Sequence, residues 1–177
     1  FKNYKIFQET TYSFESNRIG NIVESKYGDI WCTTYDGQAC LFDVKTEKFI
    51  DVLQPLTRYL NHSNHVIRIL SLKKGIAWIL CKDGYTYRAD EQQCKDGKGI
   101  SPYSIFNGNL KGNQVYTVFQ DSEEDEWVLT DKGITIVGKK TLDTDFPFRH
   151  IIQWKENIYL AAEHGKLAGY DFKTRQL

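Results

Sequence analysis

The sequence predicts an all-β fold made of repeated four-stranded antiparallel units, and three observations predict it. An aromatic residue followed six positions later by glycine recurs four times: Trp31 to Gly37, Trp78 to Gly84, Trp127 to Gly133 and Tyr159 to Gly165. The composition favours strands, with 14% aromatic residues, eleven Tyr, four Trp, three Pro and no Met. No long segment holds apolar residues at helical spacing between caps.

The repeat extends beyond the aromatic–glycine pair. A small residue follows each aromatic by three positions (Thr34, Cys81, Thr130, Ala162), and Asp43, Asp90, Lys139 and Asp171 follow each glycine by six. An apolar strand pattern precedes each aromatic, around Ile22-Val23, Val66 to Leu72, Val115 to Phe119 and Ile151-Ile152. The periods are 47, 49 and 32 residues. Each unit therefore reads as strand, polar turn, aromatic strand, glycine turn, strand and a looser fourth strand. Units of this length and content are the sequence mark of β-propeller blades. The repeated aromatics are expected to pack between neighbouring blades, where a large flat side chain leaves water.

In order, the units are expected at 17–56, 64–108, 113–146 and 148–177 within a single segment, 1–177, with 1–16 as an outer strand of a neighbouring blade. Asp36-Gly37 and Asp83-Gly84 are expected to form hairpin turns, glycine supplying the positive φ, with a two-residue loop at Asp36-Gly37. That turn would set Thr33 opposite Cys40 and Cys32 opposite Leu41, with the two sulfurs on opposite faces. All four cysteines, Cys32, Cys40, Cys81 and Cys94, are then expected to be buried free thiols, and no CxxC pair suggests a metal site. The stretch from Asp90 to Leu110 reads as an extended loop around the second unit's outer strand. The short third period leaves little room for an outer strand between Gly138 and Phe146.

Charge narrows the function. Lys plus Arg and Asp plus Glu both number 23, so the formal net charge is zero. This balance argues against nucleic acid or an anionic membrane as partner. No apolar run approaches a membrane span and no signal-peptide pattern opens the chain. The chain is expected to be soluble, and its strand-like ends suggest a segment of a longer protein.

At this point the residues resemble a known family. Asn17-Arg18-Ile19-Gly20-Asn21-Ile22-Val23-Glu24, then Gly28-Asp29-Ile30-Trp31, Thr34, Asp36-Gly37 and Phe42-Asp43 resemble the two-component-regulator propeller repeat. Asp121, Trp127, Thr130 and Gly133 repeat the match, as do Gly165 and Tyr170-Asp171. The second unit lacks the acidic turn residue, and the fourth has Tyr159 for Trp. The resemblance implies the periplasmic sensor region of a hybrid histidine kinase of the gut Bacteroidetes, responding to glycan breakdown products. It also implies more blades than four, a partner subunit in a homodimer, and no cofactor. The segment itself is then expected to be non-catalytic and to make no direct membrane contact. The alternatives are a propeller-fold carbohydrate-active lyase or hydrolase and a protein–protein interaction scaffold, because fold alone does not fix function.

Candidate ligand residues follow from propeller geometry. The turns between second and third strands all reach one face, and they carry Tyr35, Asp36, Asp83, Lys132 and His164, with Lys82, Asp131 and Glu163 beside them. Loops on a rigid scaffold are where binding concentrates. Trp31, Trp78, Trp127, Tyr159, Gly37, Gly84, Gly133 and Gly165 are assigned to the structural repeat instead. Trp154 falls outside the register, which leaves it open to a ligand or interface role. His62 and His65 lie at i, i+3 with no other ligating residue nearby, and read as loop residues before metal ligands. The acidic run Asp121 to Glu126 reads as a solvated turn before a cation site, since it lacks ordered calcium-loop spacing.

Overall fold

The structure, a computed structural model, describes residues 18–52, 65–103, 110–112, 114–174 and 176–177. The expected outer strand at 1–16 and His62 lie outside these residues. Four antiparallel sheets follow one another along the chain, and no helix among the described residues is long and apolar enough to cross a membrane. They form two compact units, residues 1–102 and 103–177.

The first unit holds two meanders. Its first sheet is β1 (Ile19–Glu24), β2 (Ile30–Thr34), β3 (Ala39–Asp43) and β4 (Lys48–Asp51), and its second is β5 (Val66–Leu72), β6 (Ile76–Cys81), β7 (Thr86–Asp90) and β8 (Ile100–Pro102). A single 3-10 turn, Gln93–Asp96, links β7 to β8. Successive side chains alternate faces, so Trp31, Ala39 and Leu41 leave the first sheet together. They pack on Ala77, Ile79, Tyr87 and Ala89 of the second sheet. Trp31 is 0% exposed, which is the between-sheet position the repeat predicts.

The second unit repeats the plan. Its sheets are β9 (Val115–Gln120), β10 (Glu126–Thr130), β11 (Gly133–Ile136) and β12 (Lys140–Asp143), then β13 (Phe148–Trp154), β14 (Asn157–Ala162) and β15 (Leu167–Asp171). Trp127, Leu129, Ile134 and Ile136 pack on Phe148, Ile158, Leu160 and Tyr170. Trp127 meets Tyr170 edge to face, with centroids 4.9 Å apart. Tyr159, in the fourth aromatic position, is only half-buried.

A one-residue bulge opens the first strand of every sheet. Gly20, Ile67, Tyr116 and Arg149 are the residues left out of the pairing with the second strand. The extra residue bends the strand beside the glycine turn. The spacing of aromatic and glycine thus reports a repeat that extends to the irregularities.

Three expectations need correction. The Asp36-Gly37 hairpin has a three-residue loop, Tyr35 to Gly37, closed by Thr34 N–H on Gln38 O at 3.0 Å. The register therefore moves by one, and Cys32 pairs with Cys40 while Thr33 pairs with Ala39. Gly37 explains the longer loop: its N–H closes a turn on Thr34 O at 3.1 Å, and its left-handed φ of 86° adds the third residue. Asp83-Gly84 forms the same three-residue loop, Lys82 to Gly84, closed by Cys81 N–H on Tyr85 O at 2.9 Å. The third unit does contain an outer strand, the four residues Lys140–Asp143. The acidic run is a turn solvated only in its middle: Ser122, Glu123 and Glu124 are exposed, whereas Asp121 and Glu126 are buried.

Candidate functional site

The hairpin turns after β2 and β6 hold Tyr35 and Asp36, and Lys82 and Asp83. In the first unit these lie close to the start of β5. Gly37 O accepts the N–H of Val66 at 2.6 Å, and Lys82 N–H donates to His65 O at 2.8 Å. Tyr35 is 65% exposed, with the Arg18 guanidinium 4.8 Å from its ring centroid. Tyr35 N–H also donates to Arg18 O at 2.9 Å. Asp83 is exposed, and its carboxyl accepts the Tyr85 N–H at 3.2 Å, as turn aspartates commonly do.

Asp36 differs from its turn counterpart. Both its carboxyl oxygens are shielded from solvent, and among the described residues neither accepts a hydrogen bond. A shielded carboxyl without donors is costly, and the cost falls when a donor arrives.

In the second unit the corresponding turns carry Lys132 and His164, both exposed. His164 adopts a left-handed backbone, φ 66°, inside the Glu163–Gly165 turn. Beside it, Arg149 pairs with Glu163 at 2.6 Å and covers the Tyr116 ring at 4.2 Å. Arg149 and Tyr116 are the two bulge residues of this unit. The sequence reading did not place them at the site, nor Arg18, and weighed His65 only as a loop residue or metal ligand, because all four sit at the ends of first strands and not in the turns. The bulge positions are the signal that could have found Tyr116 and Arg149.

The opposite ends of the strands are built from buried charge. Glu91, 1% exposed, accepts hydrogen bonds from Trp31 Nε1 at 2.9 Å, Ser71 Oγ at 2.6 Å and Lys26 N–H at 3.0 Å. Lys95, from the 3-10 turn, reaches Asp29 at 2.6 Å and Asp43 at 3.4 Å. The hydrogen bond to Asp29 raises the Lys95 pKa against the opposing effect of burial. Burial works against charge on Asp43, yet hydrogen bonds from Lys45 N–H and Thr46, with Lys95 nearby, hold its carboxyl below the ordinary range.

The second unit solves the same problem with other residues. Asp121 accepts the Trp127 indole N–H at 2.7 Å and the N–H groups of Glu123 and Asp125, each at 2.9 Å. Lys139 pairs with Asp125 at 2.5 Å. Phe172, one residue past β15, stands where Glu91 stands past β7. Here a cleft of about 320 Å³ remains, lined by Glu123, Asp125, Trp127, Lys139, Lys140 and Tyr170 among others. Among the described residues no three His, Cys, Asp or Glu side chains are grouped to hold a metal ion. Trp154 is 57% exposed, with the Lys155 ammonium 4.4 Å from its ring centroid.

Solved structures place the fold. The extracellular domain of the hybrid two component system BT3049 from B. thetaiotaomicron matches 98% of this chain with a TM-score of 0.65 at 18% identity. That of BT4673 from the same organism, described as a one component system, matches 96% with a TM-score of 0.64 at 22% identity. The β-propeller domain of Cps50 (Swd1) from Myceliophteria thermophila matches 95% with a TM-score of 0.59 at 12% identity. The chain is built of β-propeller blades. It spans 23% and 25% of the two B. thetaiotaomicron chains and 56% of the Cps50 propeller. No family model and no curated protein matches the sequence.

Proposed function

We propose that these blades belong to the periplasmic ligand-sensing region of a hybrid two-component histidine kinase, that they respond to a glycan, and that they carry no catalysis of their own. The observation that supports this most is the match over nearly the whole chain to two extracellular domains of B. thetaiotaomicron regulators. The repeat residues are accounted for by packing, which leaves the turn face for binding. There the shielded carboxyl of Asp36, which accepts no hydrogen bond from the described residues, beside the exposed ring of Tyr35 suits a ligand that brings hydroxyl donors and a flat carbon face. Asp83, Lys132 and His164 are proposed as further contacts on the corresponding turns.

In this reading the segment is one part of a larger propeller that works as a homodimer, and ligand favours one arrangement of propellers over another. The test is calorimetric titration of the full sensor region with an oligosaccharide panel, for wild type and for Asp36→Asn and Tyr35→Ala. Affinity for the cognate sugar is expected to fall roughly tenfold in each variant, about 1.4 kcal/mol. Unchanged affinity in both removes the turn face from the proposal. Sugar cleavage by the purified protein, lost on replacing one carboxylate, overturns the sensor reading.

A further inference from the structure

The corrected register brings two nucleophilic side chains together that the proposed function does not use. Cys32 on β2 and Cys40 on β3 are directly opposed. Opposed residues of an antiparallel pair project to the same face. This is the face away from Trp31 and Leu41, where the two cysteines form a small cluster of their own with Ile30 and Phe49 beside them. They are 5% and 0% exposed.

The backbone geometry suits a cross-link. Thr34 and Gln38 close the hairpin with an N–H to O bond of 3.0 Å, which marks them as a hydrogen-bonded pair. Pair types alternate along the ladder, so two residues further on Cys32 and Cys40 form a hydrogen-bonded pair again, with Cα atoms about 5.5 Å apart. Disulfides join Cα atoms roughly 4.4–6.8 Å apart, so the Cα separation is within reach. The Cβ atoms of the opposed pair, about 4.5–5.5 Å apart, close toward the roughly 3.5–4.5 Å of a disulfide by a small local shift of the strands. The neighbouring Cys40 lowers the pKa of the Cys32 thiol, and Cys32, together with burial, pushes the Cys40 thiol up. Cys81 and Cys94 lie in the core shared with the second sheet, where burial raises each to about 12 and keeps it a neutral thiol.

We infer that Cys32 and Cys40 are a redox modification site that closes to a cross-strand disulfide when a small disulfide such as oxidised glutathione is present. The Cys32 thiolate attacks one glutathione sulfur, the glutathione S–S bond breaks, and one glutathione thiolate leaves. Cys40 then gives up its proton to that thiolate and attacks Cys32 Sγ, expelling the second glutathione. Two protein thiols are oxidised and one glutathione disulfide is reduced to two glutathiones. Since both sulfurs are buried in the folded sheet, exchange takes place while the hairpin is open, as the chain folds. The inference stands on register and burial, independently of what the propeller senses.

The test is to refold the reduced full chain from denaturant in a glutathione redox buffer, block remaining thiols under denaturing conditions with an alkylating reagent, and map the peptides by mass spectrometry. Cleavage at Asp36 separates the two cysteines, so a bond between them appears as two joined peptides. The expected result is loss of two of the four alkylatable thiols, with Cys32 and Cys40 joined and Cys81 and Cys94 alkylated. Cys32→Ser is expected to restore alkylation of Cys40, and the Cys81→Ser, Cys94→Ser double variant to retain the bond. A melting midpoint raised in the oxidised chain relative to the reduced one is expected as well. Four alkylatable thiols after refolding, or a bond that includes Cys81 or Cys94, overturns the inference.

Discussion

Trp31 donates its indole N–H to Glu91, 60 residues along the chain and 2.9 Å away, whereas Trp127 donates the same N–H to Asp121, six residues before it, at 2.7 Å. The two tryptophans hold the same place in the repeat, and each buries a donor that must be satisfied. Ser25, which occupies the Asp121 position in the first unit, spends its hydroxyl on the N–H groups of Tyr27 and Asp29. Glu91 from the neighbouring sheet supplies the acceptor in its place.

Glu91 is therefore expected to be a stability residue. Glu91→Ala leaves the indole N–H, the Ser71 hydroxyl and the Lys26 N–H without their acceptor, and should cost about 3 kcal/mol. Glu91→Gln keeps the shape and an acceptor oxygen and should cost clearly less. Urea unfolding of the two variants is the measurement. Equal midpoints for Glu91→Ala and wild type would refute the role.

Trp127→Ala should destabilise the protein by about 3–5 kcal/mol, as truncation of a large buried aromatic generally does. It removes the edge-to-face contact with Tyr170 and leaves Asp121 without its indole donor. Ligand preference should be unchanged, because Trp127 lies away from the turn face. A melting midpoint equal to wild type would contradict the burial.

The Lys95 bridge sets a pH window. The depressed pKa of Asp43 contributes stability above about pH 4 and loses it as pH falls through the folded-state value. The raised pKa of Lys95 contributes below about pH 10.4 and loses it as pH rises through the folded-state value. The gap in melting midpoint between wild type and Lys95→Met should thus be widest between about pH 5 and pH 9 and narrow at both ends. A gap that stays constant from acid to alkali would show that Lys95 acts through packing alone.

Gly37 combines a positive φ of 86° with a close approach, since a Cβ there would lie 2.5 Å from the His65 ring. Gly28 has a similar φ of 80° with open space around it. Both substitutions by Ala strain the backbone by about 1–2 kcal/mol. Gly37→Ala should cost more by the amount needed to push His65 aside. Thermal melts of the pair isolate that difference, and equal losses would show that His65 moves freely.

The sequence made the architecture legible because its strongest constraints are local. A buried Trp and a left-handed glycine tolerate few substitutes, so they recur at fixed spacing. Register was less legible: Asp36-Gly37 looks like a two-residue turn, but the left-handed Gly37 comes third in the loop, as Gly84 does in the next hairpin, and moves the pairing by one. Glu91 and Lys95 were hidden for a different reason. They lie in a stretch that reads as polar loop, and their partners are contributed by another sheet. The exchange of Asp43 for Lys139 at one repeat position was visible, but its meaning depends on contacts with Lys95 and Asp125 that no spacing reveals. On the turn face, Asp36 was legible as a candidate, while Tyr116 and Arg149 required the bulges to be seen.

Repeats that begin as copies can trade places; these no longer can. The first unit carries Asp29 and Asp43 and relies on Lys95 for neutrality, whereas the third unit neutralises Asp125 with its own Lys139. Moved into the third position, the first unit would meet Phe172 instead of Glu91, leaving the Trp31 indole without an acceptor and two acids without a cation. Moved the other way, the third unit would set Lys139 against Lys95. Each blade thus carries an address written in charge, and the order of the array is stored in side chains as well as in the gene.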